Sequence, residues 1–291
     1  MHFIRLVLNS TDFHFENVIA NISTPILIDH ETIIQPIISN RIKKLFRVFN
    51  SDKDETVLKS FLLANHNLKN LFPPGMCGLG YSKQTSKNSY KRTGINRFSK
   101  DWKMINRPIV IEFIDKNVPE LLNGEKIFVD DYLIEFVKGF EDCYRLIMSN
   151  KSTLLSCTSP LYNFKDTHVR YIWRDTSIYS KILKHIYSPK DLISSDHYEQ
   201  KIRNYLSISF KNVPKCSNLW LIFEHEVTQL LRGDIPYFEI NSSSKDLVTE
   251  HGTIKDFFEL SCIEVVERNI KKLSIRDLEY QKKLIIESIQ S

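Results

Sequence analysis

The chain is poor in the residues that break a polypeptide or tether one domain to another. Of 291 residues only 8 are glycine and 10 are proline, and no Gly/Ser-rich stretch interrupts the sequence. A flexible-linker architecture is thereby excluded, and no internal domain boundary is marked. No apolar run approaches the roughly 20 residues a bilayer-crossing helix needs, and Met1–Leu8 is too short for a secretory signal. The five cysteines, Cys77, Cys143, Cys157, Cys216 and Cys262, lack any C-x-x-C spacing. Neither a zinc site nor a disulfide framework is indicated, and the cysteines read as buried or free thiols in a reducing cytoplasm. The charge excess is small, +5, and spread along the chain. A nucleic-acid protein shows a dense basic patch with interleaved aromatics instead. The lysines between Lys181 and Lys215 read as a solvated face.

A core is affordable, since 42% of the residues are hydrophobic and 11% aromatic. The pattern predicts a helix-rich α+β fold. Phe3–Leu8 reads as the end of a helix, and Pro25–Ile28 and Arg107–Ile114 read as strands. Residues 52–105, with the turn-rich segment PPGMCGLGYSKQTSKNS, read as loop. Helical spacing runs through Asp130–Met148, Thr176–Ile186, Ser217–Leu231 and Ile254–Ser288.

The chemistry concentrates in Asn9–Thr32, which reads D-x-H-x-x-N, then an apolar strand, then D-x-E. Phosphoryl transfer needs a carboxylate to orient the attacking hydroxyl, an amide oxygen on one magnesium ion, and a second carboxylate on the phosphate-bridging metal. Asp12, Asn17 and Asp29 fit those roles in that order, with His14 and Glu31 beside them. Taken singly, each residue is more ordinarily structural: His14 as a satisfied loop histidine, Asp12 as a turn cap. The joint pattern favours the functional reading.

These residues resemble the dehydratase domain of class II (LanM-type) lanthipeptide synthetases, a domain related to lipid kinases. Further matches follow in order: NVPELLNG at Asn117–Gly124, GFEDCY at Gly139–Tyr144, RYIWRDTSIY at Arg170–Tyr179 and GDIPYF at Gly233–Phe238. The resemblance implies a lipid-kinase-like large lobe plus a helical elimination region, spanning 1–291 as a partial dehydratase domain. It implies ATP and Mg as cofactors, with Asn17 and Asp29 holding the Mg-nucleotide, and a ribosomal precursor peptide with a leader as partner. Ser and Thr hydroxyls are first phosphorylated and the phosphate is then eliminated. Asp12, His14, Asn17, Asp29 and Glu31 match the phosphorylation residues; Arg170 and Thr176 match the elimination residues. Arg174 and Tyr179 lie close by, and on a helix Arg170 and Arg174 would share a face. Their ordinary readings are an ion pair of Arg174 with Asp175 or a distant acid, and a half-buried core aromatic with a wet hydroxyl at Tyr179.

The chain also departs from that family. The ATP-cradling lobe with its lysine precedes the catalytic loop in relatives, whereas Asp12 here comes almost at Met1. The cyclase zinc contexts W-C-x-G and C-H-G do not occur. Gly75, Gly78 and Gly80 follow the catalytic loop rather than precede it and read as a surface turn. Ile22 stands where the family usually has glycine, and His30 where it has an apolar residue. Taken together these features leave several expectations open: one piece of a split enzyme whose second chain carries the small lobe and cyclase, an inactive remnant, a non-catalytic peptide-binding module, or a small-molecule phosphotransferase. A lobe lacking its partner is expected to bind Mg-ATP weakly and to associate through an exposed apolar floor.

Overall fold

The computed structural model describes residues 6–22, 24–46, 56–65, 74–81, 86–96, 99–112, 117–187 and 191–290. Helix outweighs strand, 44% against 20%, in a mixed α+β chain. Residues 6–8 are helical; the rest of the expected Phe3–Leu8 helix lies outside the described residues.

Among the described residues the strands form only two-stranded antiparallel pairs. Strand β1 (Val18–Asn21) pairs with β2 (Thr24–Leu27), where a strand over Pro25–Ile28 is expected from the sequence. Strand β3 (Ile37–Ile38) leads into helix α1 (Asn40–Phe46) and pairs far along the chain with β10 (Phe258–Leu260). Strands β4 (Ser86–Ile95) and β5 (Lys103–Glu112) form a long ribbon. This corrects the loop reading of residues 52–105: β4 has no apolar alternation, and only its cross-strand partner makes it a strand. The expected strand Arg107–Ile114 begins earlier, at Lys103, and its last two positions lie outside the described residues. Strand β6 (His168–Tyr171) pairs with β7 (Phe238–Asn241), and β8 (Leu247–Thr249) with β9 (Gly252–Ile254).

The helices that follow are α2 (Leu133–Ser149), α3 (Thr176–Ile186), α4 (Ser195–Phe210), α5 (Trp220–Leu231), α6 (Cys262–Lys272) and α7 (Ile275–Gln290). Helix α3 coincides with the expected span. The Ile254–Ser288 expectation is corrected, because strand β10 and two helices replace one long helix. Ser261 caps α6 in a reciprocal box with Glu264, and Ser274 accepts from the Asp277 N–H at the start of α7. Each serine satisfies orphan N–H groups and so restarts the helix. Lys151 donates to the carbonyls of Lys271 and Leu273 where α6 ends.

Two apolar clusters organise the chain. One gathers α3 to α6 with β6 and β7, and includes Val7, Ile34 and Ile42. The other gathers α2 and α7 around Phe13, Val18, Leu62 and Tyr81. Residues 7 to 34 thus have both ends in the first core and their middle in the second, which places the loop between them at the seam.

Gly75, Gly78 and Gly80 are buried, not a surface turn. A Cβ on Gly78 would meet the Phe13 carbonyl oxygen at 2.2 Å, so this glycine lets the chain pass directly beneath the D-x-H-x-x-N loop. Asn117, the first residue of its motif, donates to the Gly78 carbonyl at 3.2 Å.

The β1–β2 turn carries a measurable cost. Ile22 adopts φ +53° and is 91% exposed, a left-handed position for a β-branched side chain that gains almost nothing from burial. Ile22→Gly is therefore expected to stabilise the fold by about 1 kcal/mol, read as a higher urea midpoint with unchanged slope. A lower midpoint would show that the isoleucine is held there by contacts that outweigh the backbone strain.

Candidate active site

The loop carrying D-x-H-x-x-N is pinned on every side by its backbone. The Phe13 N–H donates to the Ser60 carbonyl at 2.9 Å and the Phe15 N–H to that of Met76 at 3.1 Å. Thr11 Oγ1 donates to the Lys59 carbonyl at 2.9 Å, and Asn9 Nδ2 to the Gln35 carbonyl at 2.7 Å. Phe13 is wholly buried, so its neighbours Asp12 and His14 are turned the other way, into a cleft. Asp12 sits at φ +68°, a conformation Asp tolerates better than most residues. Asn17 Nδ2 donates to the Asp12 carbonyl at 2.9 Å, closing the loop on itself.

His14 Nδ1 accepts from the Glu16 N–H at 3.2 Å, which assigns the ring proton to Nε2, 3.9 Å from Asp12 Oδ1. Burial raises the Asp12 carboxyl above its ordinary range; His14 opposes this, while the carboxylates of Asp29, Glu31 and Asp175 push it further up. The fold has therefore gathered four acids, three from the two motif segments and one from the N-cap of α3. Asp29 Oδ1 accepts from the Glu31 N–H at 3.1 Å, an Asx turn that presents Glu31.

Glu31 forms an ion pair with Arg170, 139 positions away on β6. The Arg170 guanidinium lies over the Tyr237 ring at 5.3 Å, and Gln35 Nε2 donates to the Arg170 carbonyl at 3.0 Å. Arg170 Nε is buried without a hydrogen-bond partner. The residue expected to serve elimination thus grips a residue expected to serve phosphorylation. Thr176 opens α3, behind the Asp175 cap whose carboxylate accepts from the Ser177 N–H at 2.7 Å.

A cleft of about 1300 Å³ is lined by Asp12, His14, Glu31, Asp175 and Thr176 together. Asn17, Asp29 and Arg170 are not among its lining residues. The same cleft is lined by Lys43, Lys59, Arg268 and Lys272, none of which the motifs single out. Arg268 and Lys272 are one helical turn apart on α6, a spacing visible in the sequence, but nothing in it says which face meets the cleft.

Arg174 does not share a face with Arg170. Arg170 is in a strand and Arg174 in the following loop, where it turns inward to chelate Glu226 of α5, with Nη2 to Oε2 at 3.1 Å. The distant-acid reading of Arg174 holds. Tyr179 is a core aromatic, but it is fully rather than half buried, and its hydroxyl is not wet: it donates to Glu226 Oε1 at 2.6 Å. Burial works against the Arg174 charge, yet the facing Glu226 carboxylate outweighs it and raises the guanidinium above its ordinary value. Burial pushes the Glu226 carboxyl up, with Arg174 and Tyr179 pulling it back. Glu226 was not singled out by any motif; an acid on the apolar face of α5, in step with Ile222, Phe223 and Leu230 in the sequence WLIFEHEVTQLL, is the signal that could have marked it.

Among the described residues no three His, Cys, Asp or Glu side chains converge closely enough to hold a metal ion by themselves. The five cysteines are free, and burial pushes the Cys77 and Cys262 thiols up to about 12 each. No helix among the described residues is long and apolar enough to cross a membrane.

Compared with known proteins, residues 2–241 match a family described as a domain of unknown function, DUF4135. The chain is 29% identical over 297 residues to the lacticin 481/lactococcin biosynthesis protein LcnDR2 of Lactococcus lactis subsp. lactis. That alignment takes in 99% of this chain and 30% of the relative, so the chain spans about a third of that protein's length. All the motif residues above fall inside the family match; Arg268 and Lys272 lie beyond it.

Proposed function

The chain belongs to the DUF4135 family and is LanM-like along nearly all of its length, and from that premise we propose that its cleft carries the dehydratase chemistry of lanthipeptide biosynthesis. The substrate is a Ser or Thr side chain of a ribosomal precursor peptide. The observation that carries the reading is the convergence of Asp12, His14, Glu31 and Thr176 on one cleft, with Arg170 bound to Glu31 across 139 positions.

In the first half-reaction the substrate hydroxyl forms a bond to the γ-phosphorus of ATP as the bond to ADP breaks, and Asp12 takes the hydroxyl proton. The raised affinity of Asp12 for a proton suits a base, and the His14 ring lies 3.9 Å from its carboxylate, where it acts on the carboxylate's charge. Asn17 commits its amide nitrogen to the loop, which leaves its oxygen for a cation; Asp29 commits one carboxylate oxygen to the Glu31 N–H, which leaves the other. Two protein oxygens completed by phosphate and water are a common magnesium arrangement. Bound there, magnesium would neutralise charge on the phosphates.

In the second half-reaction a base accepts the Cα proton, the C–H electron pair forms the Cα=Cβ double bond, the Cβ–O bond breaks, and phosphate departs with that bond's electron pair. Arg170 presents a planar fork suited to phosphate oxygens, with Nε buried and without a hydrogen-bond partner. Thr176 donates its hydroxyl from the start of α3. Glu31 holds Arg170 until phosphate competes for it.

The test is mass spectrometry of a leader-bearing peptide already phosphorylated on Ser or Thr, incubated with the chain, ADP and magnesium. Arg170→Ala is expected to lose elimination by on the order of a hundredfold, the usual effect of deleting one strong transition-state donor. Asp29→Asn should impair phosphorylation more than elimination. Equal elimination by wild type and Arg170→Ala would remove Arg170 from the mechanism.

A further inference from the structure

Among the described residues the β4–β5 ribbon packs extensively on no other element. A two-stranded ribbon alone is marginal in water, and this one has an unusual face. Because side chains alternate, cross-strand pairing puts Lys87, Lys91, Lys103 and Arg107 on the same side as Ile95, Ile105, Ile109 and Ile111. The remaining residues of that face are Ser89 and Thr93, so it carries four cations and no acid. All four cations are exposed, and among the described residues none of their side chains makes an ion pair. The isoleucines between them are half-buried.

Among the described residues both strands are sheet edges, since their sheet has two members. They are not equivalent. Strand β5 carries Pro108, which removes one backbone donor, whereas β4 reads SKNSYKRTGI without proline and keeps every N–H. The outer edge of β4 therefore offers an unbroken row of donors and acceptors beside Lys87 and Lys91.

We propose that this ribbon is a docking site for an acidic peptide in extended conformation, which adds as a third strand along the outer edge of β4. Its main chain continues the hydrogen-bond ladder, its acidic side chains meet the lysines, and the intervening apolar residues lie on the opposite face beside the exposed Tyr90 of β4. The open edge favours a peptide over an anionic lipid surface, because a lipid headgroup has no backbone with which to continue the ladder. The inference does not require the dehydratase reading, since it concerns binding and lies outside the cleft.

The experiment uses the full chain and fluorescence anisotropy. The probe is a labelled twelve-residue peptide, on the order of one β4 length, alternating Glu and Val, with two controls. One replaces Glu by Gln; the other is N-methylated at alternate backbone positions. The Glu/Val peptide is expected to bind, more weakly as salt rises, and each control at least tenfold more weakly. Lys91→Glu with Arg107→Glu should weaken the acidic peptide at least tenfold and gain affinity for a Lys/Val peptide, a charge swap that an unfolded ribbon would not produce. Lys184→Glu with Lys211→Glu, elsewhere on the surface, should change nothing. Full binding by the N-methylated peptide, equal loss from the Lys184/Lys211 pair, no peptide binding, or binding only to vesicles of phosphatidylserine and phosphatidylcholine would overturn the proposal.

Discussion

Glu226→Ala is expected to lower the unfolding free energy by about 3–5 kcal/mol, the usual effect of leaving one member of a buried ion pair without its partner. Glu226 is wholly buried, and it accepts from both Arg174 and Tyr179. Removing the carboxylate strands the Arg174 charge against the rings of Trp173 and Phe210, at 5.9 and 5.7 Å, and leaves the Tyr179 hydroxyl buried without its acceptor. Most of the damage should come from that uncompensated cation. The double replacement Glu226→Leu with Arg174→Met is therefore expected to cost far less than Glu226→Ala alone, although it removes more polar contacts. Urea titration of the two variants decides the matter. A single-residue cost below about 1 kcal/mol, or a double variant worse than the single, would show that the triad is solvated or dispensable. The expected loss reaches function as well, because the triad anchors the turn from which Asp175 and Thr176 enter the cleft.

Asp12→Asn is expected to act with opposite signs on activity and stability. Asn tolerates the left-handed backbone at this position almost as well as Asp, so the loop geometry survives. In its proposed role as base Asp12 would contribute on the order of a hundredfold or more to phosphoryl transfer, and Asn could not supply it. Stability goes the other way. Burial and the neighbouring carboxylates raise the folded-state value above the ordinary 3.8, so the folded chain holds this proton more tightly than the unfolded chain does. That contribution is present below the ordinary value and is lost as pH rises through the folded-state value. At neutral pH the ionised carboxylate weighs against the fold, and Asn removes it. Thermal melts should show Asp12→Asn above wild type at neutral pH and level with it in acid. A variant less stable at neutral pH would mean that Asp12 is held by contacts that favour its charge. The acid limb of the pH–rate profile for phosphorylation should likewise lie above the ordinary carboxylate range.

The motif segments show where local pattern was sufficient. Spacing in Asn9–Thr32 is enough to single out Asp12, His14, Asn17, Asp29 and Glu31, because chemistry of this kind needs particular residue types close together in sequence. Helix α3 was legible for a similar reason, with an Asp cap before a run of helical spacing. The longer expectation over Ile254–Ser288 failed because its apolar spacing continues across two serine caps. Serine in a helical pattern becomes a boundary only when its side chain reaches the N–H groups beyond it. The ribbon failed for the opposite reason, since a polar strand has no periodic signature of its own and exists only through its partner.

What the sequence determined by itself is the family and the candidate side chains on which the proposed chemistry rests, since residue type and local order carry both. The tertiary structure decided how those side chains are used. Only the fold brings Arg170 to Glu31, sends Arg174 to Glu226, and adds Asp175, Arg268 and Lys272 to the cleft. The physical reason is that these contacts join elements tens to hundreds of positions apart. Their pairing is set by how two apolar cores meet around residues 7 to 34, a property of the packed chain that no local pattern contains.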